Sequence, residues 1–272
     1  MILVGAVAYD PRVVTIWDII KDYFIQEGCP IDYVLYSNYG LLQDALLRGD
    51  IDIAWNSPLA WLDAQRRSGG SCRAIAMRDT DRDRVSHILV RRDGGIGSLA
   101  DLRGGTVAVG ALDSPQATLI PLNLLQRAGL RGGSDGDFKV LRHDLLVGKH
   151  GDHVGGEQAA LDALRDGRAD AACVLDLNWE RWSADGTADP REFRVLASSD
   201  PFDHCVFTVR ADFPADDEAR WLAVLHRMDY ARPEHREMMD LEGLKRWEPG
   251  RSSGFDQLEE AVRLQGYWGQ DG

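Results

Sequence analysis

The strongest constraint in this sequence is a repeated change of hydrophobic period. Short apolar runs alternate with segments whose apolar residues recur at helical spacing, in two consecutive blocks. In the first block a strand over 2–8 leads into a helix opened by Asp10 as N-cap and Pro11 as first helical residue. Val13, Ile16, Trp17, Ile20 and Phe24 share one face of that helix, and Gly28 closes it. A strand over 33–36, a helix over 39–48 ended by Gly49, a strand over 51–55, a helix capped by Ser57 and Pro58, and a strand over 72–77 follow. The second block predicts a strand over 86–90, a short capped helix over 98–102 and a strand over 106–109. A helix opened by Ser114 and Pro115 then runs toward Ala128, followed by a strand over 138–141, a helix over 157–165 and a strand over 169–175. Strands over 194–197 and 205–209 come next. The C-terminal third reads as helical, with Trp221, Leu222 and Leu225 on one face and a last helix over 255–264.

Two such β-α-β-α-β blocks imply an α/β protein in which mostly parallel sheets are flanked by helices. A chain of 272 residues has room for two lobes with a cleft between them. In open α/β sheets ligands sit beyond the carboxyl ends of the strands. The turns at Tyr9 and Asp10, Asn56 and Ser57, Asp113 and Ser114, and Glu157 are therefore expected to meet a ligand. Asp79 and Arg84, in the charged run over 79–84, and Asp176 and Asn178, after a strand of the second block, are candidates on the same ground. The local alternative for Ser57 and Ser114 is simple N-capping, and for the charged run a solvated turn. Trp55 and Trp61 read as core residues.

The acidic residues (44) outnumber the basic ones (31), giving a formal charge of −13. That balance argues against nucleic acid or an anionic membrane as partner, because attraction to phosphate requires positive potential. No apolar run reaches the roughly 20 residues of a membrane span, so no membrane insertion is expected. The first strand follows Met1 at once, without a basic leader region. This predicts a cytoplasmic protein, or a periplasmic or cell-surface one if the chain has been trimmed. Cys29, Cys72, Cys173 and Cys205 are far apart and read as buried small hydrophobes, with no disulfide framework and no zinc-ribbon spacing.

His204 and Cys205 are adjacent, and a thiol becomes nucleophilic when a base or positive charge lowers its pKa. On a strand, however, neighbours point to opposite faces. His150, His153 and Glu157 are spaced so that one continuous helix would bring them together for zinc, while the surrounding glycines favour a polar loop without metal. No metal and no cofactor is expected.

Several stretches in order resemble the PhnD-like phosphate/phosphonate substrate-binding proteins of ABC importers. YGLLQDALLRGDIDIAWNSP at 39–58 is similar to that family's DYxxxxEAxxxGxxDxAWxGP segment. GGIGSLADLRGGTVAVG at 94–110, SPQATLIP at 114–121 in the place of STSGxLxP, EQAALDALRDGRADAA at 157–172, the stretch from Cys205 to Arg210, and LEGLKRWEPGRSSGF at 241–255 complete the set. The resemblance implies a two-lobed type II periplasmic-binding-protein-like fold joined by two hinge strands. Lobe 1 would take 1–86 and 207–272, and lobe 2 would take 87–206. It implies a small polar ligand in the interlobe cleft, gripped by hinge closure, and an ABC permease as partner if the chain is exported. Tyr39 matches the family's pocket tyrosine. At the anion-binding turn only Ser114 matches, with Pro115 and Gln116 in place of the second and third residues. Glu157 stands where the family has a histidine, and Cys205 where it has a pocket aspartate.

These departures predict a solute-binding protein whose ligand is zwitterionic or cationic rather than a simple phosphonate. The ligand-contact set is Tyr9, Asp10, Tyr39, Asn56, Ser57, Asp79, Arg84, Ser114, Gln116, His150, His153, Glu157, Asp176, Asn178 and Cys205. The alternative is a cytosolic lyase- or hydrolase-type enzyme on the same scaffold, with Cys205 as nucleophile and His204, a loop histidine or Glu157 as acid/base group.

Overall fold

A computed structural model describes residues 1–150 and 155–269. In chain order the strands are β1 (Ile2–Val7), β2 (Ile31–Tyr36), β3 (Ile53–Asn56), β4 (Arg73–Arg78), β5 (Ser86–Arg91), β6 (Thr106–Val109), β7 (Lys139–Arg142), β8 (Ala171–Leu175), β9 (Phe193–Ser198), β10 (Val206–Val209) and β11 (Trp247–Pro249). The helices are α1 (Arg12–Gln26), α2 (Tyr39–Arg48), α3 (Pro58–Ser68), α4 (Ile120–Arg127), α5 (Gly156–Arg165), α6 (Asp176–Asp185), α7 (Ala215–Leu225), α8 (Pro233–Leu241) and α9 (Asp256–Leu264). Among the described residues no helix is long and apolar enough to cross a membrane.

Local rules account for most boundaries. Ser57 Oγ accepts from Ala60 N and Pro58 fills the first position of α3. Asn38 Oδ1 accepts from Leu41 N at the start of α2, and Gly49 closes that helix at φ +82, a conformation that glycine adopts without steric cost. The helix expected from Asp10 begins at Arg12 instead. Asp10 Oδ1 accepts the Arg12 N–H at 2.8 Å from outside the helix. The helix expected after Ser114 opens with a wider π-type turn, Pro115–Leu119, before α4 begins.

The chain divides into two compact units, one of Met1–Arg82 with Asp203–Phe255, the other of Asp83–Phe202 with the residues from Asp256 onward. The first unit holds a six-stranded sheet in the order β11-β4-β10-β3-β1-β2. β1 pairs in parallel with β2 and β3, as expected, while β10 runs antiparallel between β3 and β4, and β11 antiparallel to β4. β10 returns from the other unit, and β11 had no counterpart in the sequence reading. The core of this unit is aromatic. Phe207 on β10 lies 4.5 Å from Trp55, 4.9 Å from Trp221, 5.4 Å from Trp247 and 6.3 Å from Trp17, between ring centroids.

The second unit holds a five-stranded sheet in the order β7-β6-β8-β5-β9. β6 is parallel to β7 and β8, whereas β5 is antiparallel to β8 and β9. Its core lies on both faces of the sheet, with Leu161, Leu164 and Trp182 on one and Leu102, Leu125 and Phe138 on the other. The boundaries differ from the expected 1–86 with 207–272 and 87–206. The main change is α9, which belongs to the second unit. Glu260 Oε2 accepts from Asn123 Nδ2 at 3.1 Å, and Gln265 Nε2 donates to Leu119 O at 2.7 Å. The buried residues Leu258, Ala261 and Val262 form its apolar face.

Because Phe207 fills the space among four tryptophans, Phe207→Ala should leave a cavity that costs about 3–5 kcal/mol. Urea unfolding followed by tryptophan fluorescence should show the loss. A change under about 1 kcal/mol would mean that the cluster does not organise this core.

Candidate functional site

In the second unit the chain leaves β6 and turns at Ser114. Ser114 Oγ accepts from Ala117 N at 3.2 Å, and its carbonyl accepts from Thr118 N and Leu119 N at 3.2 and 3.0 Å. Pro115 has no N–H to offer. The amides of Ala117, Thr118 and Leu119 are thus bonded within the turn. Gln116 is fully buried; its carbonyl accepts from Ser86 Oγ at 2.7 Å and its Nε2 donates to Glu157 Oε1 at 3.2 Å.

Glu157, in the first turn of α5, is 0% exposed. Its Oε2 accepts from Leu175 N at 2.7 Å and from Asn178 Nδ2 at 2.9 Å. One carboxylate therefore ties together the Ser114 turn, the end of β8 and the start of α6. Asn178 Oδ1 also accepts from Arg181 Nη2 at 2.8 Å. Asp176 accepts from Leu177 N and lies 3.6 Å from Arg84 Nη1. A bare Cβ on Gly156 would stand 3.2 Å from Gly110 Cα, so the missing side chain is what lets α5 approach the end of β6 this closely.

The zinc reading of His150, His153 and Glu157 loses its helix, because α5 begins only at Gly156. His150 Nε2 instead lies 3.7 Å from Asp113 Oδ2, which also accepts from Gly148 N. His153 lies outside the described residues. Burial pushes the Asp113 carboxyl up, against the lowering effect of the Gly148 amide. Asp113 Oδ1 and Gln116 Oε1 are buried acceptors with no hydrogen-bond partner among the described residues. Asp113 was not among the expected ligand contacts in its own right; its place beside Ser114 after β6 was the available signal.

In the first unit most strand-end candidates are engaged in structural bonds. Tyr39 is buried beside Leu42 and Val7, and Tyr9 packs against the aromatic core. Asn56 accepts from Gln43 Nε2 at 2.6 Å and donates to Thr208 Oγ1 at 3.0 Å. Ser57 caps α3. Asp79 accepts from Lys245 N at 3.1 Å.

Whether His204 meets Cys205, which the sequence left open, depends on where the strand begins. β10 starts only at Val206, so the two residues precede the strand. His204 N donates to Asp81 O at 2.7 Å and Cys205 N to Asp81 Oδ1 at 3.1 Å. Held in this way, Cys205 Sγ lies 3.2 Å from His204 Nδ1, and Asp81 Oδ1 lies 3.4 Å from the same nitrogen. Arg78 grips Asp81 with Nε at 2.6 Å and Nη2 at 2.8 Å, and its Nη1 donates to Glu242 O at 2.7 Å. Burial alone would raise the Asp81 carboxyl, but the Arg78 guanidinium and His204 hold it well below the usual range. Burial would likewise lower His204, but the Cys205 sulfur and the Asp81 carboxylate hold it above its ordinary value. Beside His204 and Cys205 the structure brings Asp81 of the charged run, held by Arg78 just before it, while Asp79 meets Lys245 N and Arg84 meets Asp176.

The arrangement is not a nucleophile relay. A relay needs one imidazole nitrogen for the nucleophile and the other for the orienting carboxylate. Here both partners face Nδ1, and Nε2 is buried with no hydrogen-bond partner among the described residues.

Residues 6–255 match the family model for the periplasmic substrate-binding protein of phosphonate ABC transporters. The chain belongs to this family. Solved structures agree on the fold. PhnD1 from Prochlorococcus marinus, in complex with methylphosphonate, is 18% identical with a TM-score of 0.73, covering 97% of this chain and 98% of that one. A Xanthomonas citri protein solved with ATP is 19% identical with a TM-score of 0.73, covering 96% and 95%. The aliphatic sulphonate binding protein SsuA from Escherichia coli is 17% identical with a TM-score of 0.59, covering 97% and 85%. At these identities the likeness is one of fold, the type II periplasmic-binding architecture. An uncharacterized protein of Haemophilus influenzae is 69% identical over 29 residues, which is 11% of this chain and 41% of that protein. The chain thus spans about two fifths of the length of that curated relative. Membership supports a solute-binding function, and in ABC importers the family is periplasmic.

Two outcomes follow from the buried carboxylates. Glu157→Ala strips the acceptor from Leu175 N–H and Asn178 and should cost at least about 3 kcal/mol, with Glu157→Gln milder, as read by chemical denaturation. Equal stability of both variants with the native chain would deny Glu157 this role. Asp81 has a lowered folded pKa, so its stabilisation is present above the unfolded value of about 3.9 and is lost as pH falls below it. The thermal midpoint should drop below about pH 4, with a smaller drop in Asp81→Asn, which itself costs about 3–5 kcal/mol by leaving Arg78 short of its partner. An identical acid profile in the variant would contradict this assignment.

Proposed function

We propose that the chain is the solute-binding component for a small polar molecule bearing a cationic or zwitterionic group, rather than a simple phosphonate. The observation that carries this reading is the chemistry around Ser114. In the turn that would cradle an anion the Ala117, Thr118 and Leu119 amides are bonded internally, while Asp113 Oδ1 and Gln116 Oε1 are buried acceptors without hydrogen-bond partners among the described residues. Helix N-termini attract anions through unsatisfied N–H groups. A site that instead offers acceptors calls for a donor, and an ammonium or guanidinium supplies several. Two carboxylates in this region, Asp113 and Glu157, further oppose a dianion.

On this reading Gln116, Ser114, Asp176, Asn178 and Arg84 of the second unit frame the ligand, with Glu157 holding their elements in register. The solute would be handed to an ABC permease in the periplasm, the family's compartment. The enzyme reading is favoured by one observation, the 3.2 Å approach of Cys205 Sγ to His204 Nδ1. It stands second because His204 presents only one nitrogen to both of its partners.

The test is a thermal-shift screen of the full chain with cationic and zwitterionic metabolites beside methylphosphonate, phosphate and alkanesulfonates. A ligand of the first group should raise the midpoint in a dose-dependent way, equivalent to about 2.7 kcal/mol at 100 times Kd. Stabilisation by methylphosphonate or phosphate alone would overturn the ligand class. In Cys205→Ser the shift should persist. Consumption of the stabilising solute by the native chain, lost in Cys205→Ser, would turn the assignment to the enzyme.

A further inference from the structure

We infer that Asp81, His204 and Cys205 form a binding site for a thiophilic divalent metal ion of the zinc type. The ligand atoms Oδ1, Nδ1 and Sγ come from three chemically different groups and lie within 4.8 Å of one another. All three residues are buried, with exposures of 1%, 7% and 5%. The feature that argues against a relay argues for a chelate. Nδ1 of His204 faces Cys205 Sγ at 3.2 Å and Asp81 Oδ1 at 3.4 Å, so the three donors converge on one region instead of lining up in a chain.

The distances suit an ion. Tetrahedral zinc sits about 2.0–2.1 Å from nitrogen, about 2.0–2.2 Å from carboxylate oxygen and about 2.3 Å from sulfur, which places neighbouring donors roughly 3.3–3.7 Å apart. The Nδ1–Oδ1 separation of 3.4 Å already lies in that range, and the Sγ–Nδ1 separation of 3.2 Å needs to open by at least about a tenth of an ångström. The mixed sulfur, nitrogen and oxygen set selects zinc and its borderline neighbours over magnesium or calcium. Three protein donors leave a fourth position for water or a solute atom.

The ligating carboxylate also has its supporting contacts. Arg78 holds the Asp81 carboxylate through two N–H groups, the kind of outer contact that orients a ligating carboxylate. The Asp81 carbonyl accepts from His204 N, which fixes the donor pair relative to the carboxylate before any ion arrives. Binding replaces the proton on the thiol, and any proton on Nδ1, with the metal. Those protons pass to solvent, and no electron is transferred. Cys29, Cys72 and Cys173 are buried elsewhere and belong to no such group among the described residues.

The probe is cobalt(II), added to the reduced, chelator-treated full chain. One equivalent should bind with a sulfur-to-cobalt charge-transfer band in the near ultraviolet, and zinc should displace it. The band should vanish in Cys205→Ser, and affinity should fall at least about ten-fold in His204→Asn, the loss typical of disturbed metal sites. Absence of the band in the native chain, or its survival in Cys205→Ser, would overturn the site. Should a variant fail to fold, native mass spectrometry of the wild-type chain with zinc decides: one retained ion per chain supports the site, and none overturns it. No solute enters these measurements, so their result is separate from that of the ligand screen.

Discussion

The ion pair between Arg78 and Asp81 is the constraint on which the first unit turns. Two opposite charges buried together are tolerated only when their remaining hydrogen-bonding capacity is filled. Here it is filled by distant segments. Asp81 takes the Cys205 amide on its carboxylate and the His204 amide on its carbonyl, while Arg78 reaches the Glu242 carbonyl. The pair therefore sets where the returning chain enters the sheet. β10 starts one residue after Cys205 and carries Phe207 into the tryptophan cluster. The pair stabilises this geometry chiefly because losing either member would strand the other charge in a dry interior.

The second unit gathers its elements around a buried carboxylate. Glu157 is entirely buried and accepts from amides of a side chain at the Ser114 turn, of the end of β8 and of α6. Hydrogen bonds to an ionised acceptor are stronger than those between neutral groups. Three elements that approach one another at strand ends are thereby held to one point. Among the described residues Asp113 Oδ1 and Gln116 Oε1 of the same region have no hydrogen-bond partner, which is uncommon for buried polar atoms and asks for an explanation. A donor-bearing solute provides one.

Family membership and ligand chemistry rest on different evidence here. The match over residues 6–255 concerns the scaffold, while the side chains that would decide the ligand depart from the anion-binding pattern at Pro115, Gln116, Glu157 and Cys205. A shared fold carries many functions, and the site must be argued from its own groups.

The sequence by itself determined most of the order of strands and helices and the caps at Ser57 and Gly49, and its ordered motifs resemble the family to which the chain belongs. The elements and caps depend on near neighbours: side-chain period, backbone sterics and hydrogen bonds a few residues long. Only the tertiary structure decided that β10 and β5 run antiparallel, that α9 joins the second unit, that Asp81 rather than Asp79 anchors the returning chain, and that His204 meets Cys205. The sequence left open whether His204 and Cys205 touch, because strand neighbours face apart and no local signal showed that the strand begins after them. Their contact exists because Asp81, more than a hundred residues earlier, takes both of their amides. Pairings between remote segments are set by how buried polar groups find partners, and that is settled only when the whole chain has closed.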